Sequence, residues 1–308
     1  MTGTRIMTLC IALWVLSTPV LGIDRSPDEI QKRVAAAYKA LDTYKAEGTI
    51  TMDMGLGGTQ HKVVTSFTIL MKKPNLYLIT WSKNMPRPGM GQSGAVWSDG
   101  TQPYLYMSAM HGYSKVEGDQ IALGSATGIS GGAAFTVPSL FLPVYMGQPQ
   151  PFSRLKDPVI EMSDQVGDEA CYVLTGPSST SKKETYWISK GSHLIRQYSR
   201  SLETPEGGVV MPELTDEQLE QALTAMGQEV TQESKDNMKE MLEKSRAMLK
   251  TTKLTGSTTE LHVKVSFPAL SKSDFKFTLP EDAVLKDSLF EGMLKASETL
   301  ADRTKDTP

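Results

Sequence analysis

This chain of 308 residues has only two cysteines and four histidines. Two cysteines exclude a disulfide framework and every multi-cysteine metal site. No two histidines stand at metal-ligating spacing. Charge of one sign is also missing. The 32 Lys+Arg against 35 Asp+Glu leave a formal net charge of -3, which excludes a broad electrostatic footprint for nucleic acid. What is present is an ordinary 39% hydrophobic fraction, enough for one or two folded domains, and 17 Met beside 8 Phe and 4 Trp. The flexible Met thioether fills irregular apolar space. The composition therefore points to adaptable apolar surface without an evident reactive group.

Arg5 precedes the apolar run Ile6–Leu16, followed by Ser17-Thr18-Pro19-Val20-Leu21-Gly22. One positive charge, a short apolar core and small or neutral residues at Val20 and Gly22 predict a secretory signal peptide over residues 1–22, with cleavage after Gly22. The run is too short to span a bilayer. Cys10 lies within it, so the mature chain keeps only Cys171, which reads as a buried small hydrophobe.

Ser26-Pro27-Asp28-Glu29 provides an N-cap, a proline at the first helical position and acids at the positive end of the dipole. Ile30, Val34, Ala37, Tyr38, Leu41 and Tyr44 then share a helical face. From Ala46 the period becomes two: Ile50, Met52 and Met54 alternate with Thr49, Thr51 and Asp53. Gly55–Gly58 reads as a turn, after which Val63, Phe67, Ile69 and Met71 continue the alternation. Further strands are predicted at Leu76–Trp81, Ala95–Ser98, Tyr104–Met107, Cys171–Thr175, Glu184–Ile188, Leu194–Ser201, Thr258–Phe267 and Phe275–Leu279. In the penultimate one, Leu261, Val263, Val265 and Phe267 read as the apolar face, with His262, Lys264 and Ser266 on the wet one. The pattern predicts one large, mostly antiparallel sheet with an apolar inside that something must cover.

Three segments break this pattern. Ile121–Ser153 has no charged residue and is rich in Gly, Ala and Pro, so it reads as a buried irregular cover over the sheet, or as a lid that meets a lipid-like ligand or a membrane. Its prolines and glycines argue against a transmembrane helix. Thr215–Lys250 is helical, with Thr215 and Gln218 as a capping box. One stripe is formed by Leu219, Ala222, Leu223, Met226 and Val230, another by Met238, Met241, Leu242 and Leu249. With Gly227 and Gln232–Ser234 between them, the two stripes predict a hairpin inserted at 212–253. Last, Leu285, Leu289, Phe290, Met293 and Leu294 predict a C-terminal amphipathic helix with a loose tail, over 287–308.

Catalytic motifs are lacking. His61, His111 and His193 read as turn residues. Gly124, Gly128 and Gly131-Gly132 have no following Lys and no strand–loop–helix frame, so they are not a phosphate loop. No G-x-S-x-G elbow is present. Asp28-Glu29 and Asp216-Glu217 sit at helix starts, and Lys72-Lys73 and Lys182-Lys183 read as solvated strand ends. No catalytic residue, metal ligand or cofactor site emerges.

Several segments, in order, resemble one family. They are the helix ending in Leu41-Asp42-Thr43-Tyr44, the run Met71-Lys72-Lys73-Pro74-Asn75-Leu76-Tyr77, and Trp97-Ser98-Asp99-Gly100-Thr101 followed by Tyr104-Leu105-Tyr106. Tyr186-Trp187-Ile188-Ser189-Lys190 with Leu194-Ile195-Arg196-Gln197, and Asp274-Phe275-Lys276-Phe277-Thr278-Leu279-Pro280, complete the set. Together they are similar to the LolA-like periplasmic lipoprotein carriers, a family that includes LolA, LolB and RseB-type envelope-stress sensors. The resemblance implies an α+β fold over 23–286: a strongly curved, half-open antiparallel sheet wrapped around an apolar cavity and covered by helices. It also implies that Lys73 stands where the carriers have a lid-latching Arg, with Tyr77 as the following aromatic. Lys offers a point charge rather than a planar fork, and the insertion exceeds a minimal carrier, so the chain reads as a paralogue of the fold.

The expectation is a periplasmic, non-enzymatic protein with a role in outer-membrane biogenesis that binds a lipid or lipoprotein acyl chain. The expected lining is Ile50, Met52, Met54, Phe67, Ile69, Met71, Tyr172, Leu174, Ile188, Val263 and Val265. Lys73, Tyr77, Phe135, Leu140, Phe141 and Leu142 are expected to form the lid or latch. No metal, cofactor, nucleic acid or transmembrane span is expected in the mature chain. The alternative is an envelope structural or sensing module whose cavity is self-filled and whose 212–253 helices dock a protein partner. An envelope-lipid hydrolase is the third option, which the scattered histidines oppose.

Overall fold

A computed structural model describes residues 26–56, 59–84, 91–145, 151–203, 213–225, 229–251 and 254–289. The expected signal peptide, the turn residues 57–58, Gly227, Met226 and residues 290–308 of the expected C-terminal helix lie outside the described residues.

Helix α1 (Pro27–Ala40) begins as its sequence dictates, with the Ser26 hydroxyl accepting from the Glu29 amide at 3.3 Å and Pro27 in the first turn. Its buried face is Ile30, Val34 and Tyr38. The strands that follow are β1 (Thr43–Leu56), β2 (Thr59–Lys72), β3 (Leu76–Asn84), β4 (Gln92–Asp99), β5 (Pro103–Met107) and β6 (Gly112–Lys115). The charge-free segment then supplies α2 (Asp119–Ser130), a one-turn α3 (Pro138–Phe141) and short 3-10 turns. Strands β7 (Val159–Val166), β8 (Glu169–Gly176), β9 (Glu184–Ser189) and β10 (Ile195–Glu203) precede a hairpin of α4 (Asp216–Ala225) and α5 (Gln232–Thr251). Strand β11 (Leu254–Ser266) and the two-residue β12 (Val284–Leu285) close the described chain.

The twelve strands among the described residues form one open sheet in the order β12-β6-β5-β4-β3-β2-β1-β11-β10-β9-β8-β7. Every pairing is antiparallel except β12 with β6. The sheet is not closed, and its edges are β12 and β7. One face carries the main core, shared by α1, α2, α3 and strands from β5 round to β8. A smaller cluster on the other face joins Ala95, Trp97 and Tyr106 to Phe277, Leu279 and Ala283.

Phe275–Leu279 was expected as a strand and is not one. Lys272–Phe275 is a 3-10 turn, and the extended stretch after it lays Phe277 against Trp97 and Tyr106 at ring separations of 5.2 and 5.4 Å. The FKFTL alternation reflects that one-sided packing rather than a ladder. Leu285, expected in a helix, belongs to β12. The capping box at Thr215 is present: the Thr215 amide donates to Gln218 Oε1 at 3.0 Å, and the Gln218 amide donates to Thr215 Oγ1 at 3.2 Å. The α4–α5 hairpin has its own small core of Leu219, Leu223 and Met238, flanked by Ala222 and Leu242. Gln232–Ser234 are the first residues of α5 rather than the turn.

The register holds one irregularity that decides what faces inward. Glu47 opposes Lys264 but Gly48 opposes His262, so Val263 is an extra residue in β11. The bulge reverses the alternation. On its N-terminal side Thr258, Glu260 and His262 face the core, and on its C-terminal side Val265 does. Val263 is 55% exposed and so does not share the inward face expected for it, whereas Phe267, half exposed, stays on that face with its ring 6.3 Å from the buried Tyr44. His262, expected on the wet face, is 0% exposed.

Gly48 makes this arrangement fit. A Cβ there would stand 2.2 Å from the Leu261 carbonyl oxygen and 2.4 Å from Phe67 Cζ. The Phe67 ring occupies that space and meets the His262 imidazole edge-on at 5.4 Å. Gly48→Ala is expected to destabilise the protein by about 1–3 kcal/mol, the range for overpacking a core. A denaturant midpoint equal to that of the unmodified chain would contradict this packing.

Candidate functional site

The inner face of the sheet is apolar over most of its area because the strands alternate. Ile50, Phe67, Ile69, Met71, Ile79, Leu105, Leu174 and Ile188 are all buried in one cluster. Over them lies the cover, whose underside contributes Ala122, Leu123, Ala126, Val137, Phe141 and Leu142. An apolar underside has no directional hold on an apolar floor, so orientation must come from polar contacts. Four fastenings provide it.

The first is at the start of α2, where the Tyr77 hydroxyl donates to Asp119 Oδ1 at 2.9 Å and Asn75 Nδ2 donates to Asp119 Oδ2 at 3.3 Å. At the other end Lys83 Nζ donates to the Ile129 carbonyl at 2.9 Å, where a helix C-terminus favours a cation. In the turn beyond, Thr136 Oγ1 donates to Glu260 Oε2 at 2.6 Å. Finally, Lys73 Nζ lies 4.9 Å from the centre of the Phe141 ring while donating to the carbonyls of Tyr38, Lys39 and Leu41 at 2.9, 2.7 and 2.6 Å. Lys73 thus caps α1 and contacts α3 together. It is not the merely solvated strand end expected of the Lys72-Lys73 pair.

Glu260 sits at the centre of a buried polar group within this apolar layer. His262 Nε2 lies 2.9 Å from Glu260 Oε1, and the Tyr44 hydroxyl faces His262 Nδ1 at 3.5 Å. The neighbouring Tyr38 hydroxyl accepts from the Ile195 amide at 3.1 Å. A second buried carboxyl, Glu184, accepts from Ser178, from Tyr186 at 3.2 Å and from Tyr198 at 3.2 Å. The next turn of the cover reaches this cluster too: the Pro151 carbonyl oxygen lies 3.4 Å from the Tyr186 hydroxyl, whose proton goes to Glu184.

Of the expected lining, the structure brings together Ile50, Phe67, Ile69, Met71, Leu174 and Ile188 as buried neighbours, with Tyr172 and Val265 packed partly exposed at the margin. Met52 and Met54 are half-buried towards the β1–β2 hairpin end, and Val263 is excluded by the bulge. Of the expected lid or latch residues, Phe141 and Leu142 are buried on the underside of the cover. Phe135 and Leu140 are half-buried, and Phe135 carries Arg154 5.0 Å above its ring. Thr136, Glu260, Asp119, Lys83 and Glu184 were missed. Their polarity made them look solvated, and only the bulge and the long-range contacts turn them inward.

His111 and His193 occupy turns with positive φ, as expected, whereas His61 lies in β2 opposite Met54. Cys171 is free and buried, and burial raises its thiol above the ordinary value. Among the described residues no group of three or more His, Cys, Asp or Glu could hold a metal ion. Nor is any helix among them long and apolar enough to cross a membrane.

No protein-family model and no curated protein matches this chain. Solved structures are similar to it. An uncharacterised conserved protein from Thermus thermophilus is 10% identical, with 85% of this chain and 100% of that one covered and a TM-score of 0.39. A DUF1329 family protein from Desulfovibrio piger is also 10% identical, over 81% of this chain and 96% of that one, at a TM-score of 0.32. A LolA superfamily protein from Nitrosomonas europaea is 10% identical, over 81% of this chain and 97% of that one, at a TM-score of 0.28. These are similarities between whole chains, and nothing about the site is taken from them.

The buried phenols give the inner face a signature in solution. Burial raises the Tyr38, Tyr44, Tyr77, Tyr186 and Tyr198 hydroxyls above their ordinary value of 10.0, and pushes Tyr145 up to about 12. The folded chain holds protons that the unfolded chain releases, so this contribution is complete below about pH 10 and lost as pH rises through the folded values. Beyond any early rise from the partly exposed Tyr104, Tyr113 and Tyr172, the tyrosinate absorbance of these six is expected to climb in one cooperative step with loss of near-ultraviolet circular dichroism. Ionisation of all ten tyrosines near pH 10 with tertiary structure retained would contradict the burial.

Proposed function

We propose that this protein is an exported, non-enzymatic carrier or binding protein that takes a lipid or lipoprotein acyl chain on the concave face of its sheet, beneath the cover. The supporting observation is the cover itself. Residues 121–153 carry no charge, and their described part lies along the apolar inner face held by a few polar fastenings. Export through the predicted leader, with cleavage after Gly22, would put the mature chain in the periplasm. The sequence segments that resemble the LolA-like carriers point the same way.

In the closed form the inner face is filled by the protein's own side chains, so a ligand enters by displacing the cover. Displacement exposes apolar surface that the ligand covers again. The surplus to be met is therefore mainly the fastenings, each worth about 0.5–1.5 kcal/mol net. Each methylene buried contributes about 0.8 kcal/mol, so a chain of ten or so offsets four such bonds. Ile50, Phe67, Ile69, Met71, Leu174 and Ile188 would line the bound chain. Lys73, Tyr77, Phe141 and Leu142 would act at the lid, joined by Thr136 and Glu260.

Native mass spectrometry of the gently purified mature chain should show co-purified lipid, and delipidated protein should bind a fluorescent fatty acid. A delipidated protein that neither retains lipid nor binds the probe would contradict the proposal.

A further inference from the structure

Towards the β1–β2 hairpin end, the register sets Arg200, Thr258, Met52 and Val63 side by side across β10, β11, β1 and β2. They lie two residues beyond Tyr198, Glu260, Ile50 and Thr65, and so share the inner face. Leu202 and Met54 stand in the next row, separated by Gly256. A Cβ on Gly256 would meet the Asp53 carbonyl oxygen at 1.9 Å, so no side chain can fill the space between them. Met52, Met54, Val63 and Leu202 are all half-buried.

Two polar groups in this apolar patch are unspent. Thr258 is 3% exposed, and its hydroxyl has no hydrogen-bond partner among the described residues. Buried hydroxyls nearly always find one, so an orphan marks a place where a ligand group can complete the set. Arg200 is half-buried and forms no ion pair among the described residues. Its cross-strand neighbour Glu184 instead accepts from Ser178, Tyr186 and Tyr198. Arg196, four residues earlier, pairs with Glu169 at 2.8 Å. A guanidinium and a hydroxyl donor beside an apolar floor fit an oxyanion attached to an alkyl chain, with the planar fork taking two oxygens.

We infer that Arg200 and Thr258 form the head-group seat of the site, receiving the carboxylate or phosphate of an acidic single-chain amphiphile whose alkyl chain runs past Met52 and Ile50 beneath the cover. This rests on the proposal that the concave face takes an apolar chain.

Binding of palmitate, palmityl phosphate and palmityl alcohol to the delipidated mature chain separates the two claims. Both acids are expected to bind at least about tenfold tighter than the alcohol, the scale of one charge-assisted hydrogen bond. Arg200→Met should abolish that preference without weakening the alcohol, and Thr258→Val should reduce it. Inorganic phosphate alone should not displace palmitate. Equal affinity for acid and alcohol, or a preference that survives Arg200→Met, overturns the head-group seat and leaves chain binding standing. Failure to bind any of the three overturns both claims. Displacement by inorganic phosphate makes the site a free-phosphate site and overturns the amphiphile. The preference of the unmodified chain tests the inference even if a variant does not fold.

Discussion

A carboxyl group on the floor of an apolar face must find partners or be excluded, and Glu260 finds them in two directions. Within β11 it meets His262, and from above it takes the hydroxyl of Thr136. The first contact follows from their two-residue spacing in β11, and the bulge at Val263 lets Val265 beyond it face the same core. The second brings the cover down onto the sheet at one chosen point. Register, bulge and cover position are therefore tied to a single buried group. Gly48 and Phe67 complete the set, because the ring that packs against His262 occupies the space a side chain at residue 48 would need.

Around that point the structure divides its labour between apolar area and polar placement. The underside of α2 and α3 provides area but little direction, since the burial of Ala122, Leu123, Ala126 and Phe141 rests on a non-directional force. Tyr77, Lys83, Thr136 and Lys73 supply direction. Side-chain bonds of this kind are individually weak and reversible, whereas the ladder beneath them is continuous from β2 to β10. A rigid floor under a weakly pinned apolar cover suits a site that exchanges its own side chains for a ligand. Among the described residues the α4–α5 hairpin adds nothing to this layer and closes its own core around Leu219, Leu223 and Met238.

Most strands were legible because one face of each is apolar. That period places β1 to β5 and β8 to β11 within a few residues. It fails for β7, whose Met162 is 91% exposed, and for β12, which has two exposed residues and no buried face to announce it. It also fails where a pattern has a different cause, as in Phe275–Leu279, where apolar residues alternate against the Trp97 cluster without a partner strand. The face of Thr258, Glu260 and His262 could not be read locally. Three polar residues at alternate positions look wet, and what buries them is an extra residue in β11 together with Thr136, 124 positions away from Glu260. The capping box at Thr215 and the N-cap at Ser26 were legible because their partners lie within three residues.

The central claim is that the cover opens independently of the sheet and does so for an apolar chain. Native-state hydrogen exchange measures this directly. The amides of α2 are expected to exchange through an opening of lower free energy than those of β1 to β3, and saturating palmitate should change their protection while leaving those strands unaltered. If α2 exchanges only with global unfolding, at the same free energy as β1 to β3 and without response to palmitate, the cover is a fixed part of the core and the account is wrong.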